Sequence, residues 1–209
     1  MCGIVGYVGK REALPILLSG LKALEYRGYD SAGIAVIGHD SAEVVKRPGP
    51  VAMLEKELER RSIRGNTGIA HTRWATHGPP TEINSHPHLD CGHRIAVVHN
   101  GIIENYKELK GSLVQKGHTF QSDTDTEVIA HIIEEGMKEG NTFRDALYDT
   151  LRVIRGAYAL VIVDTEQPGI IYATRVSSPL VIGVGEGEYG VASDPSALLD
   201  ITKDVIYLK

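Results

Sequence analysis

With 209 residues, 42% of them hydrophobic and 23% charged, the chain has the material for one large domain or two small ones with a sizeable core. A net charge of −5 and no basic stretch beyond Arg60, Arg61 and Arg64 argue against nucleic acid as a partner. No apolar run is long enough to span a bilayer, Lys10, Arg11 and Glu12 interrupt any signal-like start, and Cys2 and Cys91 make no disulfide framework, so a reduced, cytoplasmic setting without membrane contact is expected.

In chain order, residues 4–8 read as a strand. Leu14, Leu17, Leu18, Leu21 and Leu24 then recur at helical spacing, and Pro15 fits only a first turn, so a helix starts near Glu12 or Ala13. A polar elbow over 26–31 leads to a strand at 33–37, a turn at 38–41 and a partner strand through 44–46. Val51, Leu54 and Leu58 line a second helix, whose C-terminus the Arg60, Arg61 and Arg64 cluster suits. Residues 67–72 and 94–98 read as buried strands. Tyr106, Leu109, Leu113 and Val114 mark a third helix ended by Gly117; Val128, Ile129, Ile132 and Ile133 mark a fourth. Thr142 and Asp145 resemble a capping box opening a fifth helix through Leu147 and Leu151. Short strands follow at 159–163, 170–173, 180–184 and 190–192, and a last one at 205–208 stops at Lys209, so a longer natural chain is expected. Strands gather at both ends and helices in two blocks, which favours antiparallel sheets layered with helices in a single domain.

Four polar segments carry chemistry. Cys2 follows Met1 directly; with Met1 removed, one residue holds a thiol and a free α-amine, each about a unit from neutral pH, and so a nucleophile with its own base. In the run 71–78, Arg73 offers a fork for a carboxylate, while Trp74 is equally suited to a core. At 99–101, the Asn100 amide and Gly101 N–H are suited to a developing oxyanion, worth roughly 3–4 kcal/mol per donor. Asn-Gly is also a common turn dipeptide, and taken alone that is the favoured reading. In 122–127, Asp125 or Thr124 suits a helix N-cap, and Asp125 also suits a substrate ammonium. Arg73 and Asp125 together describe an α-amino-acid site. His86, His88, Cys91 and His93 match no zinc spacing and read as structural hydrogen-bonding groups near the mouth of the site, so no metal is expected.

Three other functions compete on these residues. A papain-like hydrolase would recruit Cys2, His99 and Asn100, but its nucleophile opens a helix, whereas Cys2 leads into a strand. An N-terminal-nucleophile acylase acting on other amides would not need Arg73 and Asp125 together. A metal-binding or regulatory module built on His86–His93 would carry stoichiometric zinc.

The segments 2–6, 25–33, 71–78, 84–88, 99–105 and 122–127, in this order, resemble the class II, N-terminal-nucleophile glutamine amidotransferases, and within them the glutaminase domains of the glucosamine-6-phosphate-forming branch. The resemblance implies an α+β fold, a four-layer αββα sandwich of two antiparallel sheets between helices, with 1–209 as one glutaminase domain. It implies that Cys2 attacks the side-chain amide of L-glutamine with its α-amine as base through a water. Asn100 and Gly101 would form the oxyanion hole. Arg73, Thr76 and His77 would hold the α-carboxylate and Asp125, with the Gly101 region, the α-ammonium, while Trp74 and Arg27 would line or order the closed site. No cofactor is implied. Complete members carry two sugar-isomerase domains, where ammonia converts fructose 6-phosphate to glucosamine 6-phosphate. The full-length enzyme is expected to be a homo-oligomer; this sequence alone is expected to hydrolyse glutamine.

Overall fold

The computed structural model describes residues 2–38 and 42–209; Met1 and most of the expected turn, 39–41, lie outside the described residues. A seven-stranded sheet has the order β11-β9-β10-β1-β4-β2-β3. Its strands are β1 (Gly3–Val8), β2 (Ser31–Ile37), β3 (Ala42–Pro48), β4 (Thr67–Arg73), β9 (Val181–Gly185), β10 (Glu188–Ala192) and β11 (Val205–Tyr207). A four-stranded sheet has the order β5-β6-β7-β8, built from β5 (His88–Leu89), β6 (Ile95–Ile103), β7 (Gly156–Asp164) and β8 (Tyr172–Val176). Every pairing between named strands is antiparallel. The helices are α1 (Ala13–Ala23), α2 (Val51–Leu58), α3 (Tyr106–Gln115), α4 (Glu127–Lys138) and α5 (Phe143–Val153).

Strand alternation sorts the side chains into three cores. Along β2, Ala32, Ile34 and Val36 face α1 and α2, where they meet Leu17, Leu21, Val51 and Leu54; Ala35 and Ile37 face the other way. Along β6, Ile95 and Val97 face α4 and α5, whereas Ala96 and Val98 meet Ile4, Ile69 and Ala35 between the two sheets. The result is the four-layer αββα sandwich. Leu17 and Leu21 are fully buried, worth roughly 1.5–3 kcal/mol each. Helix-propensity differences are below about 1 kcal/mol per residue, so burial of one face, rather than propensity, holds α1 in place. Among the described residues, no helix is long and apolar enough to cross a membrane.

The expected helices and principal strands form, and Thr142 caps α5 by accepting the Asp145 N–H at 3.2 Å. Five local readings change. Asn100 and Gly101 are not a turn: β6 runs through them, paired with Ala159 and Tyr158 of β7. A nine-residue ladder outweighs a dipeptide preference. Neither Asp125 nor Thr124 caps α4; Thr126 occupies that position without a side-chain capping bond, and the Asp125 carboxylate reaches across to the Ile103 N–H at 2.7 Å. Trp74 is no core residue, being 54% exposed, and Val114 lies on the open face of α3. Of the arginine cluster, Arg61 pairs with Glu57 at the end of α2, but Arg64 turns to Glu12.

Candidate active site

The site sits where the interlayer core becomes polar. Side chains at alternate positions share a face, so Cys2 continues the face of Ile4, His71 that of Ile69, and Asn100 that of Ala96 and Val98. Register places Ile4 opposite His71 and Ser31 opposite Arg73, which brings the N-terminus, the end of β4 and the polar elbow together. All nine predicted site residues line one cavity of about 420 Å³: Cys2, Arg27, Arg73, Trp74, Thr76, His77, Asn100, Gly101 and Asp125.

Asn100 is held at both ends. Its Oδ1 accepts from His71 Nε2 at 2.9 Å, and its Nδ2 donates to the Cys2 carbonyl at 3.2 Å. Because Oδ1 can only accept, His71 must carry its proton on Nε2, and that bond fixes which end of the amide faces Cys2. Gly101 follows with φ 127°, and a Cβ there would stand 2.0 Å from the Ala157 carbonyl oxygen. Only glycine satisfies both limits.

The Cys2 sulfur accepts the Trp74 N–H at 3.1 Å, and among the described residues no imidazole bonds to it. Burial pushes the thiol above its ordinary value, against the opposing pull of the Trp74 N–H and Arg73. Burial also holds the surrounding histidines neutral: His71 is brought down to about 3, His99 to about 4, and His86, stacked on His71, well below 6.5. An imidazolium–thiolate pair is therefore unavailable, and His99 instead bonds Thr126 through Nδ1 at 2.9 Å. The papain-like arrangement of Cys2, His99 and Asn100 does not form.

Around this centre, Arg73 is 4% exposed and donates to the carbonyls of His77, Gly78 and Pro79, using three of its five N–H donors to brace the loop after β4. Asp125 keeps Oδ1 toward the cavity, 3.9 Å from His77 Nδ1. Trp74 lies over Gly28, whose φ of 76° and missing Cβ make room for the indole. Arg27 donates to Ser193 Oγ at 3.0 Å, the same oxygen that accepts the Ile4 N–H. Sequence reasoning gave no role to Ser193, Thr126, Ser178 and Pro179; the last three line the cavity, and of the four only Thr126 falls in a segment the sequence singled out.

It also missed the anchor of the Asp125 loop. Glu127 accepts from the N–H groups of Gln121 and Ser122 at 2.8 and 2.7 Å and from Ser122 Oγ at 2.5 Å. Burial opposes its ionisation, but bonds from His131, Ser122 and these amides outweigh burial and bring the carboxyl to about 2. His88, grouped with Cys91 by spacing, instead meets Thr124 of this loop at 3.1 Å.

Residues 71–200 match a family model described as a glutamine amidotransferase domain. The chain belongs to the glutamine amidotransferase domain family. Over its whole length it is 52% identical to a glutamine–fructose-6-phosphate aminotransferase (isomerizing) of Thermococcus kodakarensis and 51% identical to the protein of that name from Escherichia coli. It covers 35% and 34% of them, so this amidotransferase domain spans about a third of the length of the curated relatives it matches. Among solved structures, the glutamine phosphoribosylpyrophosphate amidotransferase of B. subtilis, complexed with ADP and GMP, aligns over the whole chain and 45% of its own, with TM-score 0.82 and 30% identity. A glutamine aminotransferase class-II domain protein from Silicibacter pomeroyi shares the fold, with TM-score 0.61 at 16% identity. The fold of this amidotransferase domain is thus of the N-terminal nucleophile type.

Proposed function

We propose that this domain hydrolyses L-glutamine to L-glutamate and ammonia through a γ-glutamyl thioester on Cys2. The observation that carries the reading is the Asn100 amide, clamped by His71 so that its Nδ2 faces the residue bearing the thiol. With Met1 removed, the Cys2 α-amine takes the thiol proton, directly or through one water, and the sulfur adds to the carboxamide carbon. Negative charge moves to the amide oxygen, where Asn100 Nδ2 and the Gly101 N–H receive it. Collapse expels the nitrogen as ammonia, carrying the proton from the α-amine. Water then adds to the thioester, and the thiol leaves with glutamate as product. Burial makes a self-ionised thiolate unfavourable, so the α-amine is the required base.

Substrate placement follows from charge. Arg73 retains donors for the α-carboxylate, joined by Thr76 and His77, and Asp125 Oδ1 takes the α-ammonium, while Trp74 and Arg27 flank the entrance. In the complete protein we place residues 1–209 as one glutaminase domain ahead of sugar-isomerase domains. There the ammonia converts fructose 6-phosphate to glucosamine 6-phosphate, in a cytoplasmic homo-oligomer of hexosamine synthesis. Glutamate release by the purified domain, with intact mass measured on the same sample, tests the core of this. The des-Met1 protein should be active, and Cys2→Ala and Met1-retaining protein inactive. Turnover by Cys2→Ala would refute the mechanism.

A further inference from the structure

The structure brings together four side chains that sequence spacing did not. Cys91 sits in the tight turn between β5 and β6, held by Asp90, whose carboxylate accepts the N–H groups of Gly92 and Ile95. His118 follows α3, and His131 and Glu134 project one turn apart from α4. One donor atom from each, Cys91 Sγ, His118 Nδ1, His131 Nδ1 and Glu134 Oε2, lies within 4.8 Å of the others. The individual separations are more informative. Nδ1 to Nδ1 is 3.3 Å, Oε2 to the two Nδ1 atoms is 3.0 and 3.3 Å, and Sγ to them is 3.8 and 3.6 Å. A tetrahedral zinc ion, with bonds of roughly 2.0–2.1 Å to nitrogen or oxygen and 2.3 Å to sulfur, sets neighbouring donors roughly 3.3–3.6 Å apart.

The outer groups agree. His118 Nε2 lies 2.9 Å from Glu135 Oε2, and His131 Nε2 lies 3.4 Å from Glu127 Oε1. A carboxylate on each remote nitrogen retains the proton there and turns the unprotonated Nδ1 inward, the arrangement typical of metal-bound histidines. Glu134 Oε1 is engaged by Lys138 at 2.8 Å, while Oε2, which also accepts the Cys91 N–H at 3.2 Å, is turned to the centre, and Phe120 packs edge-on against the His131 ring. A proton on one Nδ1 satisfies one or two neighbours; a cation satisfies all four.

We propose that Cys91, His118, His131 and Glu134 bind one zinc ion in a closed structural site. A thiolate and two imidazoles favour zinc over magnesium or calcium, and four protein ligands leave no position for catalysis. Binding converts the Cys91 thiol to thiolate, and its proton passes to solvent. The ion staples the β5–β6 turn to the end of α3 and to α4. Through His131 and Glu127 it also steadies the loop that carries Asp125.

The test is metal content of the full chain, grown with zinc and passed through gel filtration. One zinc per chain is expected. Cobalt(II) in its place should give tetrahedral d–d bands and thiolate-to-cobalt charge transfer. Cys91→Ser, at an exposed turn away from the glutamine cavity, should weaken zinc binding by roughly 100-fold and abolish the charge-transfer band while the protein stays folded. Glu134→Gln should also lose zinc, and a strong chelator should lower the melting temperature of the parent protein but not of either variant. Protein that emerges without zinc and takes none up when titrated with zinc chloride would overturn the assignment, as would full zinc retention by Cys91→Ser. The readouts do not involve glutamine, so they stand apart from the fate of the proposed reaction.

Discussion

Replacing Asn100 and His71 singly and together isolates the orientation of one amide. Asn100→Ala deletes a donor aimed at the oxyanion, and loss of one such donor costs about 2.7–4 kcal/mol, or roughly 100- to 1,000-fold in kcat. His71→Phe keeps a flat ring against His86, 4.1 Å away, but removes the 2.9 Å bond that fixes the amide. His71 is neutral, so this is a neutral hydrogen bond with a net value of about 1 kcal/mol, and the expected loss is roughly fivefold in kcat. Since neither residue is assigned to the substrate's charged ends, KM should stay within about twofold for both. In the Asn100→Ala background, His71→Phe should change kcat no further, because it acts only through the missing amide. Stability gives a second reading: Asn100→Ala strands the buried His71 N–H at a cost of about 1–3 kcal/mol, part of which the double variant should recover. Steady-state glutamate release and urea unfolding of the four proteins complete the cycle. Additive losses in kcat, or Asn100→Ala within roughly threefold of the parent, would refute the argument.

Arg73→Ala should raise KM for glutamine and also lower kcat, because the same guanidinium braces the carbonyls of residues 77–79; a change in neither would place the substrate carboxylate elsewhere. Acid should destabilise the fold early. His71 and His99 have folded values of about 3 and about 4 against an ordinary 6.5, so between roughly pH 4 and 6.5 the unfolded chain holds protons the folded one lacks. Stability then falls with pH by about 3 kcal/mol per unit for the pair, and urea midpoints equal at pH 7 and pH 5 would contradict this.

The fold was legible where one periodicity dominated. Leucines at helical spacing on α1 and the short apolar runs of β2 and β6 each pointed to one type of element, and the layering followed. Of the candidate site residues, Arg73 ends β4 and Asn100 and Gly101 lie within β6, whereas Arg27, Thr76, His77 and Asp125 lie outside the strands, and of these four only Asp125 was named without the family resemblance. Readings failed where a distant partner outweighed a local preference. Pairing with β7 keeps Asn100 and Gly101 extended, and the N–H of Ile103 draws Asp125 away from a cap. Cys91 shows the limit most clearly. Spacing grouped it with His86, which lines the cavity, and His88, which bonds Thr124, whereas its own partners lie 27, 40 and 43 residues away.

The neutral histidines also bear on what leaves the site. Ammonia becomes useless as a nucleophile once protonated, and an ordinary imidazolium beside a reaction centre is a ready proton source. Here burial has emptied the surrounding rings of that proton: at neutral pH His71, His86 and His99 have none to give beyond their single N–H. On the proposed reaction, a nitrogen released beside Cys2 would therefore draw no proton from these three rings and would keep its lone pair past them.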